Sequence, residues 1–347
     1  MKIKNRKISQ SEKPFIIAEL SANHNNSLDK ALTLVKKAAE ANADAIKLQT
    51  YTADTMTFNL DSDQFMIRDE SSPWNGRHMY ELYQQAHTPW EWHEEIFDYA
   101  QSLNLLAFSS PFDDTAVDFL EDLNVPAYKI ASFECVDTQL IKKVAQTGKP
   151  LIISTGMANS QEIAEAVHSA RVNGCKELSL LKCTSSYPAS PKNTNISSIP
   201  TLRDLHDCEV GLSDHTLGFG VACAAISYGA TIIEKHLTLD RSEDGVDSSF
   251  SMEPDEFSIL VSETHKAWEA KGEIFFGQTE SEKKSRKRRR SLYFSEDILS
   301  GETLCERHIK RVRPGYGLKP KYFDEIIGKK LKKSVKKGQP ISWNEIE

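Results

Sequence analysis

The sequence predicts a (β/α)8 barrel followed by a small β-rich domain. Three observations carry that reading: eight short apolar runs alternate with helical patterns, no G-x-G-x-x-G follows the first run, and pattern and charge both change near residue 281. Alternation signals a parallel sheet, whose strands need a crossover between them. Eight repeats within roughly 250 residues fit a closed barrel, and the missing glycine motif speaks against a doubly wound open sheet.

In chain order the strand candidates are Phe15–Leu20, Ala45–Thr50, Leu106–Ser110, Ala127–Ser132, Leu151–Gly156, Leu178–Thr184, Val210–Thr216 and Ile232–Leu237. Each is short and rich in branched or aromatic residues, as buried strands are. Between them Leu28–Ala41, Thr115–Leu123, Thr138–Gln146, Ser160–Arg171 and Phe219–Tyr228 place apolar residues three and four apart, and several open on Asp or Ser caps. The stretch Thr52–Trp92, with Ser71-Ser72-Pro73-Trp74 and Thr88-Pro89-Trp90-Glu91-Trp92, does not fit the repeat and elaborates the loop after the second strand. After Arg290 come strand-like pieces at Ser291–Phe294, Ile309–Val312, Pro314–Leu318, Lys337–Pro340 and Ile341–Trp343. The expected division is a barrel over residues 1–280, a basic linker over 281–290 and a β-rich domain over 291–347.

With 39% hydrophobic and 27% charged residues the chain is neither disordered nor collagen-like. No apolar run reaches membrane-spanning length, and Met1–Arg6 leads into no apolar stretch, so the expectation is a cytoplasmic protein without membrane association. The six cysteines form no C-x-x-C pair and read as reduced thiols. From Ser281 onward 19 Lys and Arg face 9 Asp and Glu, a net of +10, while the preceding part carries −17. The run Lys283–Arg290 lacks aromatics for base stacking, so no nucleic-acid partner is expected.

Strand ends are where a barrel keeps its chemistry. Here they carry Glu19; Lys47 and Gln49; Ser109 and Ser110; Lys129, Ser132 and Glu134; Ser154 and Thr155; Lys182, Ser185 and Tyr187; Ser213, Asp214 and His215; Glu234, Lys235 and His236. Ser109, Ser154 and Thr155 read equally well as helix caps. Three lysines on the second, fourth and sixth strands point to an anion site, because a buried ammonium needs an anion or a carboxylate. His215 and His236 end adjacent strands and share faces with Ser213 and Glu234, so they converge on one divalent cation or bond to neighbouring backbone. Asp247 lies in the loop after the eighth strand, beside Glu243 and Asp244, which read as a solvated acidic loop.

Ile17–Asn25, Ile46–Thr50, Phe108–Phe112, Lys129–Ser132, Ser154–Met157, Leu212–Thr216 and Glu234–His236 together resemble the sialic acid synthase family over nearly the whole chain. Within it Thr88–Trp92, Ala131–Glu134 and Arg313–Leu318 are most similar to the pseudaminic acid synthase branch, which serves bacterial surface and flagellin glycans. The resemblance implies a TIM barrel followed by an antifreeze-like (SAF) domain, in a domain-swapped homodimer where Arg313 enters the partner's site. It implies condensation of phosphoenolpyruvate with an open-chain acetamido sugar, 2,4-diacetamido-2,4,6-trideoxy-L-altrose. Carried over, Lys47, Ser110, Lys129, Ser132, Ser185 and Ser213 hold phosphoenolpyruvate. His215 and His236 hold a divalent metal, Mn or Mg. Glu19, Gln49, Tyr187 and Asp247 face the sugar, and Glu134 handles the proton. Ser185 and Ser248 depart from the Asn and His that many sialic acid synthases carry there, which points away from N-acetylneuraminate. The alternatives are N-acetylneuraminate or legionaminate synthesis on another acetamido sugar, or a Schiff-base aldolase using Lys129 or Lys182.

Overall fold

The computed structural model describes residues 1–70, 72–243 and 245–347; Ser71 of the excursion and Asp244 of the acidic loop lie outside them. The chain divides into two compact units, Met1–Gly272 and Glu273–Glu347.

In the first unit β1 (Phe15–Glu19), β2 (Ala45–Thr50), β3 (Leu106–Pro111), β4 (Tyr128–Ile130), β5 (Leu151–Ser154), β6 (Leu178–Cys183), β7 (Glu209–Ser213) and β8 (Ile232–His236) form a closed parallel barrel. β8 closes on β1 with Ile232 opposite Phe15 and His236 opposite Glu19. All eight expected strands are present, with ends shifted by a few residues where the polar termini bend away from the ladder. Helices α1 (Leu28–Glu40), α2 (His93–Ser102), α3 (Asp114–Asp122), α4 (Thr138–Gln146), α5 (Ser160–Val172), α6 (Ser198–His206), α7 (Gly220–Ser227) and α8 (Pro254–Lys271) follow in turn. Ser27, Asp113 and Asp137 accept from the first free backbone amides of α1, α3 and α4, as their sequence positions suggest.

Three helices escape the periodicity reading for identifiable reasons. α6 carries Pro200 in its first turn, α2 directly follows the Trp-rich segment, and α8 buries Phe257, Leu260, Val261 and Thr264, so a threonine stands where the apolar repeat should continue. In place of the cap role weighed for Ser109, its hydroxyl lies 2.6 Å from Thr50 Oγ1, and α5 is capped by Asn159 rather than Ser154 or Thr155.

Two layers of apolar packing surround the strands. Inside the barrel Phe15, Ile17, Ala45, Phe108, Ile152 and Ile232 pack with Ile3 and Ile8, which lie in and just after a short N-terminal hairpin of Lys2–Ile3 and Arg6–Lys7. Outside, the helices bury their apolar faces on the alternate strand residues, among them Ile16, Ile46, Ile130, Ile153 and Ile233. Packing that fills the barrel's lower end leaves its carboxyl-end mouth for polar side chains. Within Thr52–Trp92 the described residues carry their own secondary structure. They form helices Ala53–Met56 and Met79–Ala86 and a bridge between Met66 and His78.

The second unit has its own core of Leu292, Phe294, Ile298, Leu304, Ile326 and Ile341. The expected strands β9 (Ser291–Phe294) and β10 (Ile309–Val312) are present and pair antiparallel. The pieces at 314–318, 337–340 and 341–343 do not extend into strands: turns at Gly and Pro limit them to contacts such as the single bridge of Tyr293 with Pro340. Lys283–Arg286 of the basic run is one helical turn. Among the described residues no helix is long and apolar enough to cross a membrane.

Candidate active site

Strand pleating decides which polar residues share the barrel mouth. Glu19, Lys47, Gln49, Ser110, Lys129, Ser154, Cys183, Ser213, Glu234 and His236 each lie an even number of residues beyond an interior strand position, so they point inward. Lys182 and Lys235 have the opposite parity. The expectation of three lysines around one anion is therefore corrected to two: Lys182 donates to Cys183 O at 2.8 Å, and Lys235 pairs with Asp214 at 2.8 Å on the barrel's outer side.

The two inward lysines meet carboxylates. Lys47 Nζ lies 2.5 Å from Glu19, 3.6 Å from Glu234 and 3.1 Å from Ser110 Oγ. Lys129 Nζ lies 3.2 Å from Glu234, which also accepts from Ser213 at 3.4 Å. Gln49 donates to Glu19 at 3.0 Å. All four charged groups are at most 4% exposed. Burial drives the Glu19 carboxyl toward its neutral form despite Lys47. Burial acts against the Lys47 charge too, but Glu19 and Glu234 outweigh it and raise the pKa. Burial lowers Lys129, whereas for Glu234 the two ammonium groups overcome burial and keep it ionised. Two buried lysines beside Glu234 and a Glu19 carboxyl shifted toward its neutral form make a floor suited to an anion.

The histidines stand beside this network with ring centroids 5.3 Å apart. His215 Nδ1 donates to Thr184 O at 2.9 Å, which leaves the Nε2 lone pair free. His236 Nδ1 is buried with no partner, and so are Glu134 Oε2, Ser154 Oγ and Glu234 Oε2. Each unmet group costs about 1–3 kcal/mol, so their gathering at one strand-end face marks a place kept for a ligand. Burial lifts the Glu134 carboxyl to about 7, so it titrates near neutrality. Asp247 is raised by burial as well and accepts a bond from Ser21.

Gly156 ends this floor. A Cβ there would lie 2.2 Å from Ser185 Oγ and 2.7 Å from Ser132 Oγ, so the bare backbone is what lets the two hydroxyls approach. Its amide donates to Ser132 Oγ at 3.2 Å.

Above the floor lies a cavity of about 630 Å³. Of the expected residues, Gln49, Ser132, Glu134, Tyr187, His236 and Asp247 line it. Glu19, Lys47, Ser110, Lys129, Ser213 and His215 are buried around its base, and Ser185 adjoins Ser132 across Gly156. Arg313 is exposed on the second unit. Sequence reasoning missed Trp74 and Phe250 as lining residues and Glu234 as the common partner of both lysines. Strand parity flagged Glu234, but its partners lie on strands remote in sequence.

Residues 34–275 match the NeuB family and residues 289–347 the SAF domain. A pseudaminic acid synthase of Campylobacter jejuni subsp. jejuni serotype O:2 is 43% identical over 97% of this chain and 97% of its own. The pseudaminic acid synthase of Helicobacter pylori is 43% identical over 96% of this chain and 98% of its own. Among solved structures, the N-acetylneuraminic acid synthetase of Leptospira borgpetersenii serovar Hardjo-bovis in complex with citrate matches with a TM-score of 0.73 and 31% identity, over 82% of this chain and 94% of that one. A match of that span, on a barrel whose mouth gathers lysines, serines and two histidines, settles the kinship: the chain belongs to the NeuB family and ends in a SAF domain.

Proposed function

We propose that the protein condenses phosphoenolpyruvate with 2,4-diacetamido-2,4,6-trideoxy-L-altrose and water, giving pseudaminate and phosphate. The observation that carries this reading is the convergence of two buried lysines and several serine hydroxyls on the barrel face that also holds two imidazoles. The full-length likeness to pseudaminic acid synthases supports the choice of sugar.

In this reading Lys47, Ser110, Lys129, Ser132, Ser185 and Ser213 hold the phosphoenolpyruvate carboxylate and phosphate, with the Gly156 amide beside them. Glu19, Gln49, Tyr187 and Asp247 face the sugar. C3 of the enol bonds to the aldehyde carbon as its C=O π bond opens to an alkoxide, positive charge develops at C2, and water adds there. One proton of that water ends on the alkoxide, and the other leaves as the C2 ketone forms and the bond from C2 to the phosphate oxygen breaks. The lysines stabilise the departing phosphate, while Glu234 favours the cationic centre. Glu134, titrating near neutrality, takes the proton released from the attacking water.

His215 and His236 are the residues fitted to hold a metal, on the unpartnered His236 Nδ1 and the oriented His215 ring. Among the described residues no cluster of three or more His, Cys, Asp or Glu is arranged for an ion, so a metal held by the two imidazoles would need further ligands from substrate or water. Two imidazoles favour Mn over Mg. A divalent ion there supplies Lewis-acid polarisation of the aldehyde oxygen.

The chain is read as a cytoplasmic catalytic barrel, residues 1–280, joined by a basic linker, 281–290, to the SAF domain, 291–347. The +10 tail suits the −17 body of a second copy in a domain-swapped homodimer, with Arg313 reaching the partner's sugar. Exposed Phe133, Met157 and Leu217, just beyond β4, β5 and β7, support that reading by offering apolar surface to be covered. The test is phosphate release from phosphoenolpyruvate against a panel of acetamido sugars, with the product weighed by mass spectrometry. Turnover dependent on the diacetamido-trideoxy sugar and abolished by chelator is expected; a borohydride-trapped lysine adduct with pyruvate would establish the aldolase instead.

A further inference from the structure

The cavity over the barrel mouth has two unlike sides. Its base and strand-end side present Gln49, Ser132, Glu134, His236 and Asp247. The Thr52–Trp92 excursion presents chiefly the carbon of Met56, Ile67, Trp74, Met79 and Leu82, with the hydroxyls of Thr55 and Tyr83 as its polar exceptions.

That second side is constructed for its position. In helix Met79–Ala86 the residues lining the cavity are Met79, Leu82, Tyr83 and Ala86, spaced as one helical face. Ile67 is pinned by two backbone bonds, donating to Arg77 O at 3.0 Å and accepting from Gly76 N at 2.8 Å. The Trp74 indole donates its one N–H to Val246 O at 2.8 Å, so no polar atom of that ring remains for a ligand. The ring also packs against Tyr187 at 5.4 Å and Phe250 at 6.3 Å, which joins the excursion to the loops after β6 and β8.

A cavity polar at one end and apolar at the other fits an acceptor whose reacting end is oxygenated and whose far end is not. Resting on the catalytic reading above, we propose that the excursion wall of Ile67, Trp74 and Met79 selects acetamido sugars that end in a methyl group over those that end in a hydroxymethyl group. A terminal hydroxyl placed against this wall gives up its water bonds and finds no partner. A terminal methyl loses nothing and gains contact. Pockets of this kind discriminate against an added hydroxyl by about 10²-fold.

The experiment compares kcat/KM for 2,4-diacetamido-2,4,6-trideoxy-altrose with that for its 6-hydroxy counterpart at saturating phosphoenolpyruvate. The full-length protein, Met79→Gln and Ile67→Asn are measured side by side, with melting curves to show that each variant is folded. The parent should prefer the 6-deoxy sugar by about 10²-fold, and at least one folded variant should narrow that ratio by about tenfold, with KM for phosphoenolpyruvate unchanged within about twofold. Equal use of both sugars by the parent overturns the inference, as does a ratio that both folded variants preserve. Failure of the parent to release phosphate with every acetamido sugar is a different result, which defeats the catalytic reading and the inference with it.

Discussion

Glu134 sits on the turn after β4 with one buried oxygen unpartnered and its carboxyl lifted to about 7 by burial. Because the folded value lies above the unfolded one, the neutral form is favoured in the native state, and ionising it at higher pH costs stability. Glu134→Gln should therefore melt no lower than the parent at pH about 8, with any gain vanishing below pH about 4, where the carboxyl is neutral folded or unfolded. If Glu134 accepts the proton, the parent's kcat falls as pH drops through about 7, and the Gln variant is inactive throughout. A Gln variant that retains turnover removes Glu134 from the chemistry. At this scale the inward lysines were legible and their pairing was not. Parity alone separates Lys47 and Lys129 from Lys182, because each interior position fixes its neighbours two residues away. Nothing local to Lys129 announces Glu234, which lies 105 residues later and meets it across the interior only once the barrel has closed.

At the scale of elements, β7 and β8 are held at their ends by the Asp214–Lys235 pair, both side chains 1% exposed, with the Lys235 ammonium also donating to Thr216 O. This pair lies behind the two histidines and fixes the strand ends that present them. Lys235→Met leaves the buried Asp214 charge without its cation, held by the Thr216 amide and hydroxyl, and should lower unfolding free energy by about 3–5 kcal/mol in urea titration. Adding Asp214→Asn should return much of that loss; a single variant as stable as the parent would mean the pair holds nothing. The strands themselves were readable because buried parallel strands are continuous apolar runs. The excursion was recognisable only as an interruption. Its inner helix covers two turns, and Trp74 finds its partner Val246 172 residues away, beyond the reach of any periodicity argument.

For the whole molecule, the division of charge between body and tail was plain in the sequence, while the use made of it depends on assembly. If tails exchange between subunits, Arg313→Ala should raise KM for the sugar about tenfold with KM for phosphoenolpyruvate little changed, as loss of one charge-assisted contact implies. Mixing Arg313→Ala with Glu134→Gln should then restore up to about a quarter of parental activity, since half of the statistical dimers are mixed and each mixed dimer has one intact site. No recovery on mixing would place each tail over its own barrel.

Gly156 carries a lesson for anyone who wants to retarget this catalyst. Because any side chain at that position would collide with Ser132 and Ser185, mutational libraries for new acceptors should keep it fixed and direct their diversity to positions 67, 74 and 79. If the proposed roles hold, the donor end depends on a bare backbone that any side chain would crowd, whereas the acceptor end is written in side chains that can be exchanged one at a time.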